Sequence, residues 1–239
     1  MNESILIIGE SNFIGSHLIH QFDDSDRIAI IDDVDMINIH HSIIFEKHNI
    51  SVDLINDIMT RFLFNKVINF KKTDDNTLFN CCTANGARFI QVTYDDSITY
   101  GDIIIRFSKC FGPKQSAEKF IPKMICQALN EDFLTVYGDG QVSYDWLYVS
   151  DCCNAIYKIA CLGMNDIYDV SSNFQIKNID IARMILKFLN LPMTLVDYIG
   201  ECEDNELKFD NTKVLKLGWK PRVEFEEGLR KTINFWRSI

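Results

Sequence analysis

A glycine-rich turn after the first apolar run is the part of this sequence best suited to chemistry. The turn, residues 9–15, reads GESNFIG and directly follows the apolar run 5–8. A turn placed between a strand and a helix in this way brings backbone N–H groups close to the pyrophosphate of a dinucleotide. The predicted cofactor contacts in this turn are Gly9, Asn12, Phe13, Ile14 and Gly15.

Asn12 occupies the position at which such a turn carries its second glycine. That glycine lets the pyrophosphate approach the backbone, whereas an asparagine amide takes up part of the space. Asparagine is the best tolerated replacement if the turn needs a positive φ. We therefore predict a dinucleotide site that is weakened or lost.

Two acidic residues, Asp32 and Asp33, follow the second apolar run, residues 28–31. A carboxylate at the end of a second strand bonds the hydroxyl groups of the adenosine ribose, which favours NAD over NADP. Asp32 is the candidate contact and Asp33 is the alternative. Both residues are equally compatible with an ordinary loop after a strand.

Short runs rich in Ile and Val alternate with longer segments of helical spacing. This alternation is typical of strand–helix–strand units on a buried parallel sheet, and it predicts an α/β fold. The predicted strands are residues 5–8, 28–31, 67–70, 89–93, 103–107 and 167–170. The predicted helices are residues 15–22, 52–64, 77–84, 121–129, 179–189 and 225–238.

Composition excludes several classes of partner. The chain has 239 residues with 47% apolar content, enough for one main core plus a small lobe. Its formal net charge of −10 argues against nucleic acid and against an anionic membrane surface. No apolar run reaches the roughly 18 residues that a membrane span needs.

The cysteines and the N-terminus indicate a reducing compartment. The eight cysteines are scattered and form no C-x-x-C pair, so we expect free thiols. The five histidines do not combine with cysteines at ligand spacing, so no metal site is expected. Because the sequence runs directly into a strand, we expect no signal peptide and a cytoplasmic location, or the host cytoplasm if the source is viral.

Several segments together resemble a known family. Residues 9–18 resemble the G-x-x-G-x-x-G-S-H-L opening of the extended short-chain dehydrogenase/reductases. Further segments resemble the nucleotide-sugar 4,6-dehydratases: 88–96, 111–113, 118–122, 136–141, 145–149, 217–221 and 225–229. The resemblance covers most of the chain and implies a Rossmann-like doubly wound parallel sheet with a small C-terminal α+β lobe. It also implies NAD as cofactor and a nucleotide sugar as ligand.

In this family a tyrosine acts as acid and base, and a lysine four residues later on the same helix face assists it. None of the eight tyrosines here has a lysine at that spacing. Residues 100–106 resemble the strand that follows the Tyr–Lys helix in relatives, and they come shortly after 88–96. The resemblance therefore implies that the helix is deleted.

The deletion leaves residues 94–102 to join two strands. At about 3.3 Å per residue this segment can just return along a short strand, so the pair is either parallel with a helix-free crossover or a hairpin. Either outcome uncovers apolar surface on one face of the sheet. The same helix forms part of the dimer interface in relatives, so we expect a monomer or an altered homodimer.

Other positions depart from the family pattern. Lys71 and Lys72 stand where relatives have small residues beside the nicotinamide ribose, so they would fill the groove, hold a phosphate or be exposed loop residues. Asn49 replaces the family's adenine-contacting aspartate, and Tyr144 replaces the arginine of R-D-W. Lys119 remains as the candidate substrate contact, with a solvated lysine as the alternative.

The tail continues this pattern of substitution. The family's diphosphate-binding arginines fall on Asn205 and Glu206, and a glutamate would repel the ligand. Trp146, Trp219 and Trp236 are interpreted as core residues. We expect residues 1–110 to form a truncated dinucleotide-binding core, and 111–239 to supply substrate-lobe elements interleaved with the last strands of the sheet.

Two hypotheses follow for function. The first is a degenerate homologue of the NAD-dependent nucleotide-sugar 4,6-dehydratases, without dehydratase activity, that retains weak nucleotide binding or a protein-interaction role. The second is an active dehydratase, epimerase or reductase that recruits Tyr94, Asp95 or a nearby lysine. Turnover of a nucleotide sugar distinguishes the two.

Overall fold

The computed structural model describes residues 3–22, 26–33, 43–47, 50–72, 76–94, 97–201 and 208–239. The chain divides into two compact units. The first, here called the sheet unit, comprises residues 1–107, 152–170 and 210–219. The second, here called the lobe unit, comprises residues 108–151, 171–209 and 220–239.

The strands of the described residues are numbered in chain order. They are β1 (Ser4–Ile8), β2 (Arg27–Asp32), β3 (Ile43–Lys47), β4 (Lys66–Asn69), β5 (Arg88–Thr93), β6 (Ile103–Phe107), β7 (Lys109–Phe111), β8 (Leu134–Tyr137), β9 (Ser143–Tyr148), β10 (Ile167–Val170), β11 (Gln175–Lys177) and β12 (Val196–Ile199). All six strands predicted from sequence are present. The strands that were not predicted are β3, β7, β8, β9, β11 and β12.

The helices are numbered in the same way. They are α1 (Ile14–Leu18), α2 (Val52–Phe62), α3 (Thr77–Ala84), α4 (Phe120–Leu129), α5 (Val149–Leu162), α6 (Asn178–Leu189), α7 (Thr212–Lys216) and α8 (Phe225–Arg237). The first helix is shorter than predicted, because a 3₁₀ turn over Ile19–Gln21 follows it. Helices α5 and α7 were not predicted.

The sheet unit contains a seven-stranded sheet in the order β10-β6-β5-β4-β1-β2-β3. All of its paired strands are parallel. This arrangement confirms the predicted α/β class with a Rossmann-like parallel sheet. Strand β1 lies between β2 and β4, so the strand order reverses there and the loops after those two strands flank its carboxyl end.

Helices α2 and α3 cover one face of this sheet. Ser51 caps α2 by accepting the N–H of Leu54 at 3.2 Å, and the helix ends at Leu63 with φ of 53°. The packed residues are Leu6, Ile8, Ala29, Ile31, Ile55, Ile58, Met59, Phe64, Val67, Leu78, Cys82, Ala87 and Phe89. This core fixes the positions of β1, β2 and β4, whose ends carry the candidate site.

Strands β5 and β6 are parallel neighbours. Ile90 pairs with Ile103 and Thr93 with Arg106. The described part of their connection, residues 97–102, is turn and coil. The predicted helix-free crossover is therefore confirmed in these residues, and the alternative of a hairpin is wrong.

The return segment 97–102 lies over the face of the sheet that carries Gln91 and Ile104. A Cβ on Gly101 would stand 3.4 Å from Cβ of Gln91 and 3.6 Å from Cγ1 of Ile104. Gln91 is fully buried and Ile104 is 4% exposed. The predicted apolar opening is therefore not found on β5 and β6, although Ile167, the partner of Ile104 on edge strand β10, is 38% exposed.

The lobe unit contains two small sheets, in the orders β11-β9-β7 and β12-β8. Its core includes an aromatic cluster, defined as Phe111, Phe120, Trp146, Tyr148 and Phe225. Within this cluster the ring centroid of Phe111 lies 4.9 Å from that of Phe225 and 5.5 Å from that of Tyr148. Phe120 stacks on Trp146 at 5.9 Å.

Helix α8 approaches the aromatic cluster through Gly228. A Cβ at Gly228 would meet Cδ2 of Tyr148 at 2.6 Å and Cζ of Phe111 at 3.0 Å, so only glycine fits without a shift.

Trp146 in this unit is buried, as is Trp219 in the sheet unit. Both agree with the predicted core role, whereas Trp236 is only half-buried.

Two properties of the described residues bear on location and redox state. None of the helices found there has the length and hydropathy needed to cross a membrane. None of the seven cysteines in the described ranges forms a disulfide.

Candidate functional site

The glycine turn forms a tight loop at the carboxyl end of β1. Its positive φ values fall at Gly9, with 83°, and at Glu10, with 57°. Asn12 lacks a positive φ, and its side chain is exposed. The predicted reason for an asparagine at this position is therefore wrong, because the left-handed conformation falls on Glu10.

Gly15 is required by the turn itself. A Cβ at Gly15 would lie 2.6 Å from the backbone oxygen of Glu10, which also accepts the Gly15 N–H at 2.8 Å. Two further predicted contacts, Phe13 and Ile14, have buried side chains. Phe13, Ile14 and Gly15 therefore serve the packing of the turn itself.

Asp32 is built into the same turn. The carboxylate is buried and accepts the N–H of Ser11 at 2.9 Å. It also accepts the N–H of Asp33 at 2.9 Å. Burial opposes its ionisation, but the Ser11 N–H and the Lys71 ammonium outweigh burial and lower the pKa of Asp32 to about 2.

Lys71 crosses the turn from the loop after β4. Its Nζ lies 3.0 Å from Oδ1 of Asp32 and 2.9 Å from Oδ1 of Asp33. Its side-chain carbons pass directly over Gly9, where a Cβ would stand 3.0 to 3.3 Å from them. Burial lowers the pKa of Lys71, but the two carboxylates outweigh this effect and the net pKa is raised.

A buried pair of amides fixes the backbone of Lys71. Asn69 accepts the Lys71 N–H at 3.2 Å, and its amide nitrogen donates to the Lys71 carbonyl at 2.8 Å. The same nitrogen donates to Oε1 of Gln91 at 2.8 Å. Both amide side chains are fully buried. Sequence reasoning missed this pair, although two polar residues within the apolar strands β4 and β5 were a visible signal.

In this arrangement Lys71 occupies two places that a dinucleotide would use. A dinucleotide would need the carboxylate of Asp32 for its ribose and free space over Gly9 for its pyrophosphate. Lys71 takes both, since its ammonium pairs with Asp32 and its carbons cover Gly9. Of the three alternatives predicted for Lys71, the structure places it in the groove, whereas Lys72 is exposed.

Tyr94, one of the residues proposed for unusual catalysis, lies elsewhere on the sheet edge. Tyr94 follows β5, is 49% exposed, and lies 6.4 Å from the ring of Phe107. Asp95 and Asp96 lie outside the described residues. Lysines approach tyrosine ring faces in the lobe unit, where Lys109 lies 3.9 Å from the ring centroid of Tyr144.

The predicted substrate contact, Lys119, and the family motif that contains Asp145 both lie in the lobe unit. Lys119 is exposed at the residue before α4. Asp145 is buried and accepts the N–H groups of Ser172 and Phe174, at 2.8 and 3.0 Å. This carboxylate therefore holds a loop. Asn49, Asn205 and Glu206 lie outside the described residues.

Comparison with known sequences gives related proteins over most of the chain. The profile of the NAD dependent epimerase/dehydratase family matches residues 90–170. The low-salt glycan biosynthesis protein Agl12 of Haloferax volcanii is 28% identical over 192 residues, which are 77% of this chain and 62% of that protein. The dTDP-glucose 4,6-dehydratase of Escherichia coli is 32% identical over 155 residues, 58% of this chain and 43% of that enzyme. The chain thus spans less than two thirds of the length of these curated relatives.

Comparison with solved structures gives the same fold. The dTDP-glucose 4,6-dehydratase of Bacillus anthracis, solved in complex with NAD, superposes with a TM-score of 0.86 at 22% sequence identity. The superposition covers 99% of this chain and 97% of that chain. The chain is therefore similar to the NAD dependent epimerase/dehydratase family over residues 90–170, and to curated proteins that include dTDP-glucose 4,6-dehydratases over more than half of its length.

Proposed function

We propose that this chain is a non-catalytic homologue of the nucleotide-sugar 4,6-dehydratases, which keeps their fold and serves a binding or protein-interaction role. The observation that carries the proposal is the connection between the parallel neighbours β5 and β6, whose described part, residues 97–102, contains no helix. In the enzymes that the sequence resembles, the helix between these strands brings a tyrosine and a lysine together. Here residues 94–102 replace it.

The chemistry of proton transfer supports this proposal. A phenol at its ordinary pKa near 10 is a poor base at neutral pH and needs a neighbouring cation to lower that pKa. No tyrosine of this sequence has a lysine four residues later. In the lobe unit, Tyr148 has a pKa raised to about 12, through burial and then through nearby acidic groups and Cys110. That direction is opposite to the one catalysis requires.

The proposal is tested by turnover. Purified protein is incubated with NAD and either dTDP-glucose or UDP-glucose, and loss of one water from the sugar is followed by mass spectrometry. The dTDP-glucose 4,6-dehydratase of Escherichia coli serves as the positive control. We expect no conversion by this chain at enzyme concentrations at which the control consumes all substrate.

The competing function is an active enzyme built on Tyr94. It is favoured by the position of this tyrosine, half-exposed directly after β5. Conversion of either sugar, lost on Tyr94→Phe and retained in Tyr100→Phe, would establish this alternative and refute the non-catalytic one.

A further inference from the structure

The crevice over β1 contains an internal cation. The Lys71 ammonium lies within 3.0 Å of one oxygen from each of Asp32 and Asp33, which follow β2. Asp32 is the carboxylate at which this fold offers a ribose its hydrogen bonds. The ammonium therefore satisfies, from within the chain, an acceptor that would otherwise bind a ligand.

The placement of Lys71 is specified by neighbouring residues. Asn69 bonds both the N–H and the carbonyl of Lys71, and Gln91 holds Asn69. The Lys71 side chain is only 34% exposed, although it belongs to a loop. Lys72 carries the same charge in the same loop and is exposed. The ordinary alternative, a solvated loop lysine, therefore does not describe Lys71.

We propose that Lys71 is a built-in occupant of the ribose end of the dinucleotide groove, so that adenosine diphosphate ligands bind only after its ammonium leaves Asp32. This inference concerns ligand binding and does not depend on whether the chain is catalytically active. Two consequences distinguish occupancy by Lys71 from a dinucleotide site that has simply been lost. The Asp32 carboxylate is intact beneath the lysine, and removal of the Lys71 side chain should restore binding.

The energetic reason is competition for one buried acceptor. A ligand that binds only the lysine-displaced state has its affinity reduced by the fraction of molecules in that state. The ion pair with a buried carboxylate makes that fraction small, because the departing ammonium leaves Asp32 without its cation. Removal of the lysine makes every molecule competent.

The test is calorimetric titration of NAD and of ADP into the full chain and three variants. We expect Lys71→Ala to bind both ligands at least about tenfold more tightly than wild type, as expected when a competent state is rare. Lys72→Ala, the matched control for loss of one positive charge, should bind as wild type does. Lys71→Ala combined with Asp32→Asn should lose the gain, because the ribose acceptor is then altered.

The outcomes are separable. The proposal is contradicted if wild type and Lys71→Ala bind NAD and ADP with the same affinity, or if neither binds them measurably. It is also contradicted if Lys72→Ala gains as much affinity as Lys71→Ala. If Lys71→Ala is unstable, the double change Lys71→Ala with Asp33→Asn removes one charge of each sign and leaves Asp32 bonded to Ser11. The same gain over wild type is expected there, with folding checked by circular dichroism. Sugar turnover is measured separately, so a failure here leaves the proposed function untouched.

Discussion

The glycine turn of the sheet unit and the aromatic cluster of the lobe unit both resemble the dehydratases in sequence, yet they differ in what the resemblance preserves. In the cluster, the matching residues Phe111, Trp146 and Tyr148 are buried and pack on one another. In the turn, the lack of a side chain at Gly15 leaves room for the backbone oxygen of Glu10. Lys71, however, covers the side of the turn that would face a ligand. A strong motif match in this chain therefore reports packing and carries no information about chemistry.

The largest expected effect is on the aromatic cluster. Phe111→Ala removes a fully buried ring that contacts three other aromatic residues. Because a cavity remains, the free energy of unfolding should fall by about 3–5 kcal/mol. Urea denaturation measures the loss. Phe133→Ala, at a position 58% exposed, is the control and should change stability by about 0.5 kcal/mol or less. Similar losses in both variants would show that the cluster is not a core.

The next comparison uses one glycine from each region. A Cβ would meet the Glu10 oxygen at 2.6 Å from Gly15, and Cδ2 of Tyr148 at 2.6 Å from Gly228. A backbone oxygen in a tight turn moves less readily than a ring, so Gly15→Ala should cost about 3 kcal/mol and Gly228→Ala about 1 kcal/mol. Thermal denaturation of the two variants shows which substitution lowers stability more. A larger loss in Gly228→Ala would refute the claim that the turn leaves no room for a side chain at position 15.

Acid should destabilise the turn through Asp32. Its pKa in the folded chain is about 2, against an ordinary value of 3.8. A lowered pKa contributes stability that is complete above the ordinary value and is lost as pH falls towards 2. We expect wild type to lose about 2 kcal/mol of stability between pH 5 and pH 2 beyond the loss in Asp32→Asn. Parallel pH profiles of the two proteins, measured by urea denaturation, would contradict this assignment.

The smallest effect is expected from restoring the glycine at position 12. Asn12 is exposed and has no positive φ, so it does not strain the turn, and the side-chain atoms nearest to Gly9 belong to Lys71. Asn12→Gly should therefore change NAD affinity by less than about threefold, a difference of under 1 kcal/mol. Calorimetry of this variant beside Lys71→Ala checks the claim. A gain in Asn12→Gly as large as that in Lys71→Ala would assign the obstruction to Asn12.

The sheet could be predicted from sequence because its strands are short Ile- and Val-rich runs separated by helical spacing. The length of residues 94–102 also limited the connection to two shapes, a helix-free parallel crossover or a hairpin, and the sequence left the choice between them open. The pairing of Lys71 with Asp32 could not be predicted, because their loops meet only when β1 lies between β2 and β4. That strand order depends on tertiary packing, and local patterns leave it open.

Two other features escaped prediction for a similar reason. Helix α5 begins directly after β9, at Val149, so no polar turn marks the change of period from strand to helix. The role of Asn69 and Gln91 depends on their meeting across two neighbouring strands. Each residue alone looks like a polar interruption of an apolar run, and only the register makes them a pair.

The most direct test of the account is a crystal structure of the wild-type chain grown with NAD and UDP-glucose. We predict that Nζ of Lys71 stays within ion-pair distance of Asp32, with its carbons over Gly9, wherever that carboxylate carries no ribose, and that a ribose reaches Asp32 only when Lys71 is displaced. A dinucleotide whose ribose hydroxyls bond Asp32 while Lys71 remains paired with that carboxylate would contradict it.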